Sequence, residues 1–131
     1  MYIKSFVRLA VVAAATIFHV SAAQAADWDF TGNWQMKVSC KGFKQVNTLR
    51  ISRADMKKVT GTTNVGEGFG KIVSGQFDGE HVVFINEYRW EGRKYSETWK
   101  GKLSRNGNYL RGRFDSTNKD SGGCSFSGPR L

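Results

Sequence analysis

Apolar and polar residues alternate along the stretch of residues 30–40. Its even positions from 34 onward are apolar, namely Trp34, Met36, Val38 and Cys40. Polar residues hold the odd positions between them. A period of two predicts a strand with one face in a core and the other in water. Residues 30–40 are therefore expected to form the first strand.

Residues 124–130 predict a last strand, which begins with the second cysteine of the chain. If this strand runs antiparallel to the first with Cys40 opposite Cys124, then Trp34 lies opposite Arg130. The first and last strands then pair with each other. A sheet whose first and last strands pair closes on itself, so the pattern predicts a barrel.

Six further strands are predicted between these two, at residues 43–52, 59–63, 73–77, 81–90, 99–103 and 110–114. Four of them carry a glycine on the same face as a large residue two positions earlier, at Gly61, Gly75, Gly101 and Gly112. Glycine at such positions suits strands that coil tightly around a narrow barrel. The glycine-rich residues 66–70 are expected to form the loop between strands three and four.

Turn residues predict how the strands pair. A two-residue hairpin at Glu91 and Gly92 aligns strands five and six, and a four-residue loop at 105–108 aligns strands six and seven. The resulting cross-strand partners are Phe84 with Trp99, Asn86 with Glu97, Tyr88 with Tyr95, and Trp99 with Phe114. The predicted fold is all-β, an eight-stranded antiparallel up-and-down β-barrel.

The N-terminal residues have the pattern of a secretory signal peptide. Lys4 and Arg8 precede the apolar residues 9–20, and small residues follow at Ala23 and Ala25. We expect a signal peptide at 1–25, a mature chain from Ala26, and one β-barrel domain at 26–131. The apolar run is too short to span a bilayer, so no membrane segment is expected in the mature chain. The predicted location is periplasmic or secreted.

Both cysteines fall in the mature chain, and an exported chain meets an oxidising environment. A disulfide between Cys40 and Cys124 is therefore expected, which would tie the first strand to the last. A metal site built on the two cysteines lacks partners, because His81 is the one histidine of the mature chain. No metal and no cofactor is expected.

Several residues of the chain resemble those of a known group of proteins. Phe30, Gly32 and Trp34, with Arg130 near the end, resemble the signature of the calycins, in which a basic residue packs on the first-strand Trp. Within that group the chain is similar to the avidin and streptavidin family, through residues 31–34, 59–62, 73–78, 86–89 and 98–101 in matching order. The resemblance implies a small secreted ligand-binding barrel. It also implies that the loop at 66–70 is a flexible lid, and the alternative is a plain connection.

The resemblance does not extend to the biotin site. The polar positions that contact biotin in the family fall on Met36, Val38, Cys40, Thr63, Val65 and Cys124. The aromatic walls are kept at Phe84, Trp99 and Phe114. The resemblance therefore implies a ligand other than biotin.

The predicted inner face of strands five and six carries an acid. Glu97 faces into the barrel opposite Asn86, and an inward carboxylate must be hydrogen-bonded or meet water or a ligand. Two alternatives follow: a lumen filled by its own side chains, or a pocket for one small molecule. A pocket would favour a cationic or hydrogen-bond-donating ligand. Its candidate residues are Phe84, Asn86, Tyr88, Tyr95, Glu97, Trp99 and Phe114.

The outer face of strands six and seven is basic, in a chain of net charge +9. Four cations face one another across these strands, Lys100, Lys102, Arg111 and Arg113, and such like-charge pairs are destabilising on their own. An anionic partner would relieve the repulsion, and the candidates are envelope lipids, lipopolysaccharide phosphates, nucleic acid or an acidic protein. The alternative is a solvated basic face.

Two further expectations concern partners and chemistry. Ile72, Val83 and Ile85 are expected to point outward as an apolar cluster through which a homodimer would form. Catalysis is not expected, because Glu97 has no second carboxylate across the lumen and the chain has no nucleophile motif or metal-ligand cluster. The expected function is ligand binding in the lumen. The alternative is an interaction protein, binding the envelope or inhibiting an enzyme, that acts through its basic outer face or its loops.

Overall fold

The computed structural model describes residues 29–65, 68–118 and 123–131. These residues form eight strands: β1 (Gly32–Cys40), β2 (Phe43–Ala54), β3 (Val59–Val65), β4 (Gly68–Phe77), β5 (His81–Trp90), β6 (Arg93–Leu103), β7 (Tyr109–Ser116) and β8 (Cys124–Pro129). The predicted signal peptide at 1–25 and the expected mature terminus at Ala26 lie outside the described residues.

The strands form one closed antiparallel barrel in which each strand pairs with its neighbours in sequence and β8 pairs back onto β1. This confirms the predicted fold. The described residues contain no helix, and so none that is long and apolar enough to cross a membrane.

The predicted strand registers are confirmed. Asn86 lies opposite Glu97 and Tyr88 opposite Tyr95 across the β5–β6 hairpin. At the closure, Val38 lies opposite Phe126 and Trp34 bridges to Arg130. Tight turns limit the possible registers. The alternation of apolar residues limits them further, because a shift of one residue would move the apolar side chains of a strand to the water side.

The predicted disulfide is present between β1 and β8. Cys40 and Cys124 are bonded, with their Cα atoms 4.2 Å apart and a sequence separation of 84. The bond closes the barrel covalently at the point where the first and last strands meet. A disulfide is typical of proteins in non-reducing, extracellular-type environments.

One end of the barrel is sealed around Trp34. The guanidinium of Arg130 lies 4.3 Å from the Trp34 ring centroid, as the Trp34–Arg130 pairing predicts. The same guanidinium donates hydrogen bonds to the backbone oxygens of Thr31, Asp29 and Gly107. Gly32 precedes Trp34 in this region with a φ of +117°, a backbone conformation that residues with a Cβ rarely adopt. We call this the sealed end.

The sequence expectation for Ile72 is wrong. The β4–β5 register shifts between Ile72 and Ser74, a bulge that places two consecutive residues, Val73 and Ser74, on the outer face. Ile72 is thereby turned inward and is buried in the core. The outer apolar cluster on β4 and β5 consists of Val73, Val83 and Ile85.

The expected loop at 66–70 is shorter than the sequence pattern predicts. Gly68, Phe69 and Gly70 belong to β4 and pair with β3, with Gly70 opposite Thr63. Residues 66 and 67 lie outside the described residues, so the prediction of a lid is limited to them.

Candidate functional site

The lumen is packed at the sealed end and open at the other. Near the sealed end, the Phe30 ring lies 5.3 Å from Trp34 and 5.6 Å from Phe77, measured between ring centroids. Toward the opposite end the lumen widens into a cavity of about 360 Å³. The two alternatives considered from the sequence therefore each describe one part of the barrel.

The cavity lies at the end of the barrel where β1–β2, β3–β4, β5–β6 and β7–β8 are connected. We call this the open end. The side chains around the inner part of the cavity include Thr63, Asn86, Tyr88, Tyr95, Glu97 and Phe114. The volume is at the lower end of the roughly 300–1,000 Å³ typical of small-molecule sites.

Glu97 is the buried acid of the cavity. Its Oε1 accepts two hydrogen bonds of 3.0 Å, one from Asn86 Nδ2 and one from Trp99 Nε1. Within the described residues, no side chain or backbone group donates to Oε2. One carboxylate oxygen is thus held by the protein, and the other is left for whatever occupies the cavity.

The protonation of Glu97 reflects this environment. Burial raises the pKa of the Glu97 carboxyl above its ordinary value of 4.5, while the hydrogen bonds from Asn86 and Trp99 act in the opposite direction. Burial prevails because a charged carboxylate loses more hydration than two hydrogen bonds restore. A cation bound at Oε2 would favour the charged form.

A polar chain holds Asn86 in place beneath the cavity. Thr63 donates from its hydroxyl to Asn86 Oδ1 at 3.0 Å, and Asn86 then donates to Glu97. Gly70 makes room for this chain, because a Cβ at that position would lie 2.3 Å from Thr63 Oγ1 and 2.4 Å from Asn86 Oδ1. Residues on three other strands, Thr63 on β3, Gly70 on β4 and Asn86 on β5, therefore set the orientation of the Glu97 carboxylate.

The seven predicted lumen residues divide into two groups. Asn86, Tyr88, Tyr95, Glu97 and Phe114 border the cavity. Phe84 and Trp99 are fully buried below it, where Trp99 stacks between Phe84 at 5.4 Å and Phe114 at 4.4 Å. Phe84 and Trp99 thus form the floor, and Trp99 reaches the site through its indole N–H.

Sequence reasoning missed a second buried acceptor. Asn47 on β2 is buried, and its Oδ1 has no hydrogen-bond partner in the part of the chain that the structure describes. Such an atom is normally satisfied by a water molecule or a ligand. The signal was present in the sequence, since Asn47 is in phase with the inward Leu49 and Ile51.

The mouth of the cavity was also missed. Phe43, Phe69 and Trp90 border it and are exposed. Phe43 and Trp90 are terminal residues of β2 and β5, where an apolar residue can extend beyond the sheet, and alternation alone does not reveal that.

The four predicted surface cations form two cross-strand pairs. Lys100 lies opposite Arg113 and Lys102 opposite Arg111, with all four side chains exposed. Lys102 Nζ also lies 3.2 Å from an oxygen of Glu80. Serines of β8 follow, with Ser125 opposite Arg113 and Ser127 opposite Arg111.

The barrel closure extends this basic face. Lys37 of β1 lies opposite Ser127, and Lys44 of β2 lies opposite Ser39. The face therefore runs from β6 to β2 with small hydroxyl side chains at its middle. No group of three or more His, Cys, Asp or Glu side chains suited to a metal ion occurs among residues 29–65, 68–118 and 123–131.

Comparison with known proteins supports the architecture. No family model and no curated protein matches the chain. Among solved structures, a redesigned β-barrel is similar, with a TM-score of 0.61 at 10% sequence identity, covering 77% of this chain and 90% of that chain. A likeness at this identity extends to the fold alone, a small β-barrel.

Proposed function

We propose that this protein is an exported, non-enzymatic β-barrel that binds a small ligand in the open end of its lumen. The observation that carries the proposal is the Glu97 carboxylate, which lies buried in a cavity with one oxygen held by Asn86 and Trp99 and the other without a donor among the described residues. The free oxygen faces the cavity rather than the packed core, so a water molecule or a ligand can complete it there.

The chemistry of the cavity favours a ligand with a cationic or hydrogen-bond-donating group. Glu97 supplies a negative charge, and the Tyr88 and Tyr95 rings, 5.6 Å apart, stand on the same side of the barrel. Aromatic faces attract organic cations by about 0.5–2 kcal/mol. The ligand would donate rather than accept.

Export and family are parts of the same proposal. The signal-peptide pattern at 1–25 and the disulfide both agree with a periplasmic or secreted location. We also propose that the barrel is avidin-like, on the strand motifs at 31–34 and 98–101, with the biotin-contacting polar positions replaced. The absence of a carboxylate partner for Glu97 in the described cavity lining, apart from Glu91 at its mouth, favours binding over hydrolysis.

Calorimetric titration with benzylammonium and with benzyl alcohol tests the role of Glu97. The two probes share a ring and differ in charge, so Glu97 should favour benzylammonium by roughly tenfold or more, since hydrogen bonds to charged groups contribute about 1.5–3 kcal/mol. Glu97→Gln should remove the preference. Equal affinity for the two probes, or no binding of either, would contradict the proposal.

A second candidate function rests on the basic face from β6 to β2. Its cross-strand pairs Lys100 with Arg113 and Lys102 with Arg111 repel each other, and an anionic partner would reverse that cost. The double variant Lys102→Ser with Arg111→Ser should weaken polyanion binding and flatten its salt dependence. Unchanged affinity and slope would remove this candidate.

A further inference from the structure

The mouth of the cavity is bordered by exposed aromatic side chains. Phe43, Phe69 and Trp90 are 39, 71 and 57% exposed. In the described part of the chain, no other Phe or Trp side chain is exposed to this degree. We call these three residues the aromatic rim. Exposed rings gathered at one end of a molecule mark an interaction surface, whereas single exposed apolar residues do not.

Basic side chains surround the aromatic rim. Lys41 lies in the β1–β2 turn and Lys44 near the start of β2, while Arg89 and Arg93 lie on the β5–β6 hairpin, and all four are exposed. Arg93 is the cross-strand partner of Trp90. Glu91 in the hairpin turn offsets one of these charges, so the described residues of the mouth remain net positive.

We infer that the aromatic rim and these four cations dock the barrel, with its open end facing the lipid, on an anionic phospholipid bilayer. Phe and Trp rings partition into the headgroup region, and each Lys or Arg near an anionic surface is attracted to it. Stable interfacial binding needs two such contributions together, and the open end provides both. The inference depends on the mouth alone and goes beyond the lumen ligand.

The sealed end of the barrel provides a matched comparison. In the β2–β3 connection Met56 is 60% exposed, and Lys57 and Lys58 beside it are exposed as well. Acids share that end, with the half-buried Asp55 in the same connection and the exposed Glu80 in the β4–β5 turn. An apolar residue and two lysines can therefore be altered there without touching the rim.

Vesicle co-sedimentation tests the inference with the mature chain. The probes are phosphatidylglycerol–phosphatidylcholine vesicles and pure phosphatidylcholine vesicles, each at low and at physiological salt. We expect the anionic vesicles to bind the protein and the neutral vesicles to bind it much more weakly. Arg89→Ser with Arg93→Ser should lower the partition constant on the order of tenfold. Phe69→Ser with Trp90→Ser should lower it comparably.

Three control variants locate the contact. Met56→Ser and the pair Lys57→Ser with Lys58→Ser should leave vesicle binding unchanged. Glu97→Gln should leave it unchanged too, which separates this inference from the proposed lumen ligand. In a Trp28→Phe background, Trp90 emission should shift to the blue on anionic vesicles, because Trp34 and Trp99 are fully buried already.

Several outcomes would overturn the inference. Failure to bind anionic vesicles at low salt would do so directly. Equal loss of binding in the rim and sealed-end variants would show attraction by net charge without orientation. Loss of vesicle binding in the double variant Lys102→Ser with Arg111→Ser alone would assign the lipid contact to the basic face from β6 to β2. Equal binding to neutral and anionic vesicles would exclude a role of the four cations in docking.

Discussion

At the scale of single residues, the site depends on how Glu97 is held. Its Oε1 is fixed by Asn86 and Trp99, and Asn86 is fixed in turn by Thr63. Hydrogen bonds therefore orient the carboxylate, while burial disfavours its ionised form. Retaining a charge at such a position is expensive, and the proposed ligand is what would offset that cost.

The pH dependence of stability tests this description of Glu97. The folded pKa is raised, so between about 4.5 and the folded pKa the folded chain keeps a proton that the unfolded chain has released. The stability that the protonated Glu97 gives the folded chain, relative to its ionised form, is complete below the unfolded pKa. It is lost as pH rises through the folded pKa. Glu97→Gln keeps the acceptor and cannot ionise. Its free energy of unfolding should therefore rise relative to wild type as pH increases.

Urea unfolding at a series of pH values measures this difference. Glu80→Gln removes the same charge from an exposed turn and serves as the matched control. The upward trend should be larger for Glu97→Gln than for the control. Parallel curves for wild type and Glu97→Gln would mean that burial does not disfavour the charge.

Gly70 is predicted to be essential to the polar chain. Gly70→Ala would place a Cβ 2.3 Å from Thr63 Oγ1, so the strand or the hydrogen bond must shift. We expect a loss of roughly 1–3 kcal/mol in unfolding free energy, typical of overpacking, together with weaker benzylammonium binding. Gly68→Ala, whose nearest atom is 3.3 Å away, is the control and should be milder. Equal effects of the two would contradict this role.

At the scale of strands, the β4 bulge decides which side chains reach the core. Between the inward Ile72 and the inward Gly75 lie two outward residues, Val73 and Ser74. Strict alternation would have put Val73 inside and Ile72 outside. The bulge thus exchanges the places of two neighbouring apolar residues.

Alanine substitutions at these neighbours distinguish the two arrangements. Ile72→Ala should lower the unfolding free energy by about 2–5 kcal/mol, because Ile72 is buried in the core. Val73→Ala should cost less than about 1 kcal/mol, because Val73 lies on the surface. Chemical denaturation measures both values. The reverse order would mean that the strand follows strict alternation.

The predictability of the fold differs between these strands for a physical reason. The turn residues Glu91 and Gly92 determine the β5–β6 register directly, so the opposition of Asn86 and Glu97 could be predicted. The bulge after Ile72 has no comparable mark, because Val73 and Ser74 fit either face of a strand. Turns can be predicted from their residues, whereas the position of a bulge depends on packing across the barrel.

The candidate site was predictable in part for a similar reason. Glu97 and its cross-strand partner follow from alternation and register. The division between a packed floor at Trp99 and an open cavity above it depends on how rings stack in three dimensions, as Trp99 does against Phe114. The aromatic rim lies at strand ends, where alternation carries little information.

At the scale of the whole molecule, the barrel is closed in two ways. At the open end the disulfide joins β1 to β8 covalently, and at the sealed end Arg130 stacks on Trp34 and binds backbone oxygens. Both links join residues that are distant in sequence. They hold together β1 and β8, the first and last strands of the chain.

Removal of the disulfide tests how much this closure contributes. Cys40→Ser with Cys124→Ser should lower the unfolding free energy by about 2–4 kcal/mol, because the bond restricts the unfolded chain across 84 residues. Denaturation of the wild type in the presence of a reductant should give a similar loss. Equal stability of oxidised and reduced protein would show that strand pairing alone closes the barrel.

The central proposal for the whole barrel is that the open end of its lumen holds a small molecule against Glu97. Native mass spectrometry on protein purified gently from the cells that make it measures this directly. Wild type and Glu80→Gln should carry a small-molecule adduct that is lost on denaturation, and Glu97→Gln should carry much less of it. Bare wild-type protein, or an adduct equally retained by Glu97→Gln, would contradict the claim.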